Sequence, residues 1–252
     1  MAMIRLEGVR VEFPIFHASS RSIRRSAVDG AFGRRFNLSG RRASVTALDG
    51  IDLEVSDGDR LALIGPNGAG KSLLLRTIAG IYTPARGNVT VKGRVRPLLS
   101  YGVGLDMSVT GLENIHLLAM HLDVPPAAVR ARIDEIVSWT ELGPFIHAPL
   151  RTYSAGMIMR LTFAVSTSFP AEILLLDEWL ALVDAEFQAK AQQRMSAFVG
   201  AANILVLASH SAAMLEQWCN RAVRLSAGRI IASGPVTEMI EQAVPPDARA
   251  QD

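Results

Sequence analysis

The octapeptide Gly65-Pro66-Asn67-Gly68-Ala69-Gly70-Lys71-Ser72 constrains this chain more than any other stretch. It fits G-x-x-x-x-G-K-[ST] and sits between an apolar run, "DRLALIG", and a helical one, "AGKSLLLRTIAG". Glycines let the backbone wrap tightly and turn its N–H groups inward, toward phosphate oxygens. The helix start that follows adds the positive end of its dipole. Lys71 supplies a point charge for the β- and γ-phosphates, and Ser72 a hydroxyl for Mg²⁺. Lysine is scarce here, with only Lys71, Lys92 and Lys190 in 252 residues.

The rest of the chain alternates strand and helix patterns. Residues 1–13 alternate apolar and polar side chains and carry charges, so they suggest a strand and not a secretory leader. "VTALDGIDLEV" reads as a strand, and "GNVTVKGRVRPLL" returns to strand. From 106 to 169 the pattern is helical, with a Thr110/Glu113 capping box and a proline-led helix at "PPAAVRARIDEIVSWTEL". Strands resume at "AEILLLD", "NILVLASH" and "RAVRL". This order predicts an α/β fold with a largely parallel sheet and an all-helical insertion over 106–169. Residues 241–252 read as a loose tail.

Several function classes are excluded or narrowed. No stretch of about 18 uncharged apolar residues is present, so nothing is expected to span a membrane. The single cysteine, Cys219, rules out an internal disulfide and fits a reducing compartment; it reads as a small semi-buried residue on a helix. Net charge is +2, but residues 17–46 hold seven arginines against one acid, Asp29. That segment reads as an inserted loop or short hairpin. Few aromatics interleave its arginines and the remaining chain is acidic, which argues against nucleic acid.

Cleaving a γ-phosphate needs a second Mg²⁺ contact and a group to orient water. "ILLLDE" offers both: Asp177 emerges at the end of a buried strand to hold Mg²⁺, and Glu178 can act on the water. Strand C-termini are where ligands bind in open α/β sheets. His210 ends another apolar strand and can hydrogen-bond the γ-phosphate, although such a histidine standing alone is more often structural.

A second anion-receptive helix start lies at "YSAGM", Tyr153 to Met157, with Ser154 as N-cap. The order of phosphate loop, helical block, this pentad and the acidic strand resembles the ATP-binding subunit of an ABC transporter, over nearly the whole chain. The resemblance implies one domain over 1–252, a P-loop NTPase core with a mixed, mainly parallel sheet, an antiparallel β subdomain and an inserted α-helical subdomain. The pentad corresponds to the family's L-S-G-G-Q signature. In the family two subunits face head to tail, and the signature of one meets the γ-phosphate held by the other's phosphate loop. ATP would then be bound by Gly65 to Leu73 of one copy and by Ser154, Ala155 and Gly156 of its partner. Asp184 matches the loop coupling the two sites, and His210 the switch histidine. Phe13 is the best match for the aromatic that stacks on adenine, with Phe16 the alternative.

Finer features point to one branch. "DEWLALVDAEF", "RTYSAGMIMRLTFAVSTS", "LASHS" and "SRSIRRS" resemble polysaccharide exporters, which move lipid-linked O-antigen, capsule or teichoic-type polymers. The resemblance implies an ATPase homodimer on the cytoplasmic face of the cytoplasmic membrane, peripheral through a separate permease. Segment 17–46 would contact anionic lipid heads or acidic loops of that permease. Some relatives carry a further C-terminal sugar-binding β-sandwich of about 100 residues, which is not expected here because the sequence ends too soon after its last core strand. The family's glutamine between sheet and helical parts is absent, with Ser100 near its place. Tyr153, Ala155 and Met157 replace Leu, Gly and Gln. A different substrate class, a soluble ATPase acting on ribosomes or DNA, and a subunit with little turnover are the competing readings. The first leaves every motif in place. The second usually has two cassettes or a coiled-coil insertion, and Glu178 argues against the third.

Overall fold

The computed structural model describes residues 1–15, 36–39, 42–99, 104–177 and 185–243. Phe16, Ser100, Glu178, Asp184, most of segment 17–46 and the tail beyond residue 243 lie outside the described residues. The chain divides into two compact units, Met1–Gly93 with Ile204–Asp252, and Arg94–Asn203.

The first unit holds β1 (Met3–Ile15), β2 (Phe36–Ser39), β3 (Arg42–Ser56), β4 (Arg60–Ile64), α1 (Lys71–Ile78) and β5 (Arg86–Lys92). From the later part of the chain it adds β8 (Ile204–Ala208), α6 (Ala212–Trp218), β9 (Arg221–Ser226), β10 (Arg229–Pro235) and α7 (Val236–Ala243). An antiparallel sheet runs in the order β2-β3-β1-β5. In β1 the alternation runs in two stretches of opposite phase: Ile4 and Leu6, then Val9 and Val11, are buried, while Arg5 and Glu7 face out, and the phase changes at an irregularity around Gly8 (φ 57°). The hairpin end of this sheet is built from the Arg-rich insertion, because β2 pairs with the first residues of β3.

The remaining strands run β10-β9-β4-β8. Strand β4 is parallel to both β8 and β9, while β9 and β10 form an antiparallel hairpin. All five residues of β8 are fully buried, as an unbroken apolar run in a parallel strand requires. The β9–β10 turn places both Ala227 (φ 51°) and Gly228 (φ 79°) in the left-handed region, the geometry of a tight two-residue hairpin. Gly228 N–H donates to the Ala69 carbonyl at 2.9 Å, and the Gly228 carbonyl accepts from Asp49 N–H at 2.9 Å. The turn therefore ties the glycine-rich loop to β3.

The second unit holds β6 (Val95–Leu98), α2 (Gly111–His121), α3 (Pro126–Thr140), α4 (Ala155–Thr167), β7 (Ile173–Asp177) and α5 (Ala185–Ala201). Short 3-10 turns at Gly143–His147 and Leu150–Thr152 join α3 to α4. Strands β6 and β7 are parallel, with Leu98 opposite Leu176. Helices α2 to α4 occupy the stretch expected to be helical, and they share this unit with β6, β7 and α5. They pack around Ile115, Ile136, Leu150, Leu161 and Val165, all fully buried.

Helix α2 begins with the anticipated capping box: Thr110 Oγ1 accepts from Glu113 N–H, and the Glu113 carboxylate accepts from Thr110 N–H at 2.8 Å. Fully buried Asn114 ties down the preceding loop, donating to the carbonyls of Asp106, Val109 and Thr110 and accepting from Asp106 N–H. Among the described residues no helix is long and apolar enough to cross a membrane.

Candidate functional site: phosphate loop, strand ends and signature helix

The glycine-rich loop leaves β4 at Gly65, where φ is 150° and a Cβ would stand 2.3 Å from the Leu225 carbonyl oxygen. Only glycine lets the loop pass this close to β9. Helix α1 then opens with Lys71, has no acid in its first turn and takes no side-chain cap. A cation at the positive end of a helix dipole is unfavourable unless an anion binds there. Lys71 is buried, and its ammonium folds back over the loop to the carbonyls of Gly65 at 2.6 Å and Pro66 at 3.3 Å. The amine thus braces the loop from inside.

His210 lies two residues beyond β8, and with Ser209 it lines a cavity of about 530 Å³. Gly65 and Pro66 line the same cavity, so the structure brings the histidine and the loop together. Phe13, near the end of β1, is 37% exposed and meets Tyr82 edge-to-face at 5.4 Å. Asp177 ends β7, after four fully buried residues. The strand thus delivers a carboxylate at its C-terminus, in the second unit.

The pentad is a helix start. Ser154 caps α4, accepting from Met157 N–H at 3.2 Å, and no acid stands in the first turn. Ser154, Gly156 and Met157 border a cavity of about 280 Å³ with Glu141, Phe145 and Arg160. The far end of α4 is held by cations. Arg194 donates to Thr167 Oγ1 at 2.6 Å and to Ser168 Oγ at 2.8 Å, and Arg132 donates to the Ser168 carbonyl. Cations at the carbonyl end complement the dipole, and they leave the Ser154 end receptive to anions.

Tyr153, a departure from the signature in sequence, has a specific place. Its hydroxyl donates to the Phe145 carbonyl at 2.5 Å, and burial pushes the phenol pKa up. Gly111 provides the space, because a Cβ there would stand 2.3 Å from that hydroxyl oxygen. Neither Gly111 nor Phe145 was recognisable from local pattern, since both meet Tyr153 through tertiary packing. Gly111→Ala should cost about 1–3 kcal/mol by overpacking. Combining it with Tyr153→Phe should recover part of that loss. Urea denaturation of the two single variants and the double would decide, and strictly additive costs would reject the coupling.

A hard cation takes oxygen ligands, and magnesium keeps water and substrate phosphate oxygens alongside one or two protein groups. Ser72, in the first turn of α1 in the first unit, carries a hydroxyl of that donor type, and Asp177, at the end of β7 in the second, carries a carboxylate. Among the described residues no group of three or more His, Cys, Asp or Glu forms an all-protein cage. Cys219, buried just past α6 and not on it, has its thiol pushed up to about 12 by burial, so it is no nucleophile.

The ABC transporter family model matches residues 48–181, from β3 past the end of β7. The O-antigen export system ATP-binding protein RfbE of Yersinia enterocolitica is 43% identical over 231 residues, covering 91% of this chain and 97% of that protein. An O-antigen export system ATP-binding protein RfbB of Klebsiella pneumoniae is 36% identical over 242 residues, covering 95% and 96%. Among solved structures, an ATP-binding subunit of an ABC transporter superposes with a TM-score of 0.68 at 20% identity, covering 95% of this chain and 92% of that one. The α/β architecture, the phosphate loop at the start of α1 and these similarities agree: the chain belongs to the ABC transporter family.

Proposed function

We propose that this chain is the ATP-hydrolysing subunit of an exporter for a lipid-linked, O-antigen-like polysaccharide. It works as a homodimer on the cytoplasmic face of the cytoplasmic membrane, beneath a separate permease. The observation that carries ATP use is Lys71 buried at an uncapped, acid-free helix start behind a loop whose first glycine admits no side chain. The polymer class is supported by the two relatives that share more than nine-tenths of the chain.

In this reading Gly65, Pro66, Asn67, Gly68, Ala69, Gly70, Lys71, Ser72 and Leu73 wrap the phosphates, and Phe13 stacks on adenine. Ser72 and Asp177 hold Mg²⁺, which when bound offsets the negative charge of the β- and γ-phosphates. Ser154, Ala155 and Gly156 of the partner copy close on the γ-phosphate, and Asp184 couples the two sites. Glu178 takes the proton of the attacking water while His210 orients it. There is little covalent chemistry for the protein to do, so positioning and electrostatics supply the acceleration. ATP closes the dimer and hydrolysis reopens it, and the permease follows. Segment 17–46 lies against anionic lipid heads, which flotation with phosphatidylglycerol vesicles at rising salt would test; salt-independent or absent binding rejects that contact.

Glu178→Gln tests the reading. The variant should still bind ATP and should accumulate as a dimer in saturating ATP. Its turnover should fall by about 10²–10⁴, the range for removing a general base. Phosphate release at the parent rate would remove Glu178 from the mechanism.

A further inference from the structure

We propose that Tyr82 is a positioning residue for the nucleobase, holding the Phe13 ring in the orientation that stacks. The inference rests on the reading of Phe13 given above and adds to it a residue outside every recognised motif. Helix α1 ends in a tight two-bond motif. Gly80 (φ 76°) donates its N–H to the Thr77 carbonyl at 3.1 Å, and Ile81 donates to the Arg76 carbonyl at 2.9 Å. That pair of bonds sets the direction in which the chain leaves the helix.

Tyr82, next along, is delivered against Phe13 with ring centroids 5.4 Å apart and planes at 90°. An edge-to-face pair is worth about 0.5–1.5 kcal/mol beyond area burial, and it fixes ring rotation. Phe13 is nevertheless 37% exposed, so the contact leaves part of its ring open. A ring already oriented loses less freedom when a base stacks on it. The same helix that starts at the phosphate loop, about 12 Å long at 1.5 Å per residue, therefore leads at its far end into the residue that sets the base platform.

The test uses the full chain and two probes, ATP and inorganic tripolyphosphate, with affinities read by competition against a fluorescent ATP analogue. Tyr82→Ala should weaken ATP binding about two- to tenfold, the range its ring contact implies. It should leave tripolyphosphate affinity unchanged and raise KM without lowering kcat. Tyr82→Phe, which keeps the ring, should behave as the parent. Tyr82→Ala placed on Phe13→Ala should add no further loss. An equal loss for ATP and tripolyphosphate would mean that Tyr82 only supports α1, and would overturn the proposal. Phe13→Ala weakening ATP while Tyr82→Ala does not would overturn it and leave the Phe13 reading standing. Phe13→Ala without effect on ATP would overturn both. A misfolded Tyr82→Ala is recognised by lost tripolyphosphate binding together with a shifted melting curve, and Tyr82→Leu then takes its place.

Discussion

Lys71→Ala is expected to abolish ATP turnover, with a loss of at least about 10²-fold, the scale on which a charge-stabilising donor acts. Two losses combine. The variant removes the point charge that meets the β- and γ-phosphates. It also removes the amine that bridges the Gly65 and Pro66 carbonyls, so the loop loses its internal brace. A turn released in this way presents its N–H groups less uniformly, and both affinity and turnover should fall. Phosphate release and ATP affinity measured together would separate the two. A variant with turnover within threefold of the parent would show that the phosphates are held elsewhere. The fold should survive, because the hairpin turn at Gly228 still holds the loop through the Ala69 carbonyl.

The second large effect is a recovery. Lys71→Ala and Ser154→Arg chains are each expected to be inactive as homodimers. The first lacks the phosphate cation. The second loses the cap of α4, worth about 0.5–2 kcal/mol, and forces a long cationic side chain toward the small cavity that Ser154 borders. In a mixed dimer, however, one composite site pairs an intact loop with an intact signature, and the other has both defects. Random pairing in a two-fold dimer with independent sites then returns about a quarter of the parent activity. If mixed dimers form and the mixture stays as inactive as either variant, each copy works alone and the shared-site reading fails.

Local features are legible in the sequence. The alternation of β1, the capping box at Thr110 and Glu113, the proline start of α3 and the Ser154 cap all depend on spacing within one turn or one pleat. What escaped is tertiary. "GNVTVKGRVRPLL" reads as one strand region, yet Gly93 splits it into β5 and β6, which belong to different compact units. Arg96 in β6 has the polarity of a surface residue but is buried, donating to the Leu122 carbonyl at 2.5 Å at the end of α2. Nothing adjacent in sequence announces a carbonyl 26 residues away. Tyr153 departs from the signature in sequence, and its neighbours Gly111 and Phe145 meet it only through packing. The glycine-rich loop, Gly65 to Ser72, is one contiguous stretch and can be picked out from sequence as a group; Tyr82, which meets Phe13 only through folding, cannot.

The grip on α4 carries a mechanical consequence. Helix α5 reaches across with Lys190 to Glu141, which borders the cavity at the Ser154 end, and with Arg194 to the last turn at Thr167 and Ser168. Glu141 in turn pairs with Arg160 at 3.6 Å, so α4 is held at its middle and at its last turn, and its first turn follows as a lever arm. Displacement of α5, whose sequence follows Asp184 directly, is thereby transmitted to the Ser154 tip with little damping.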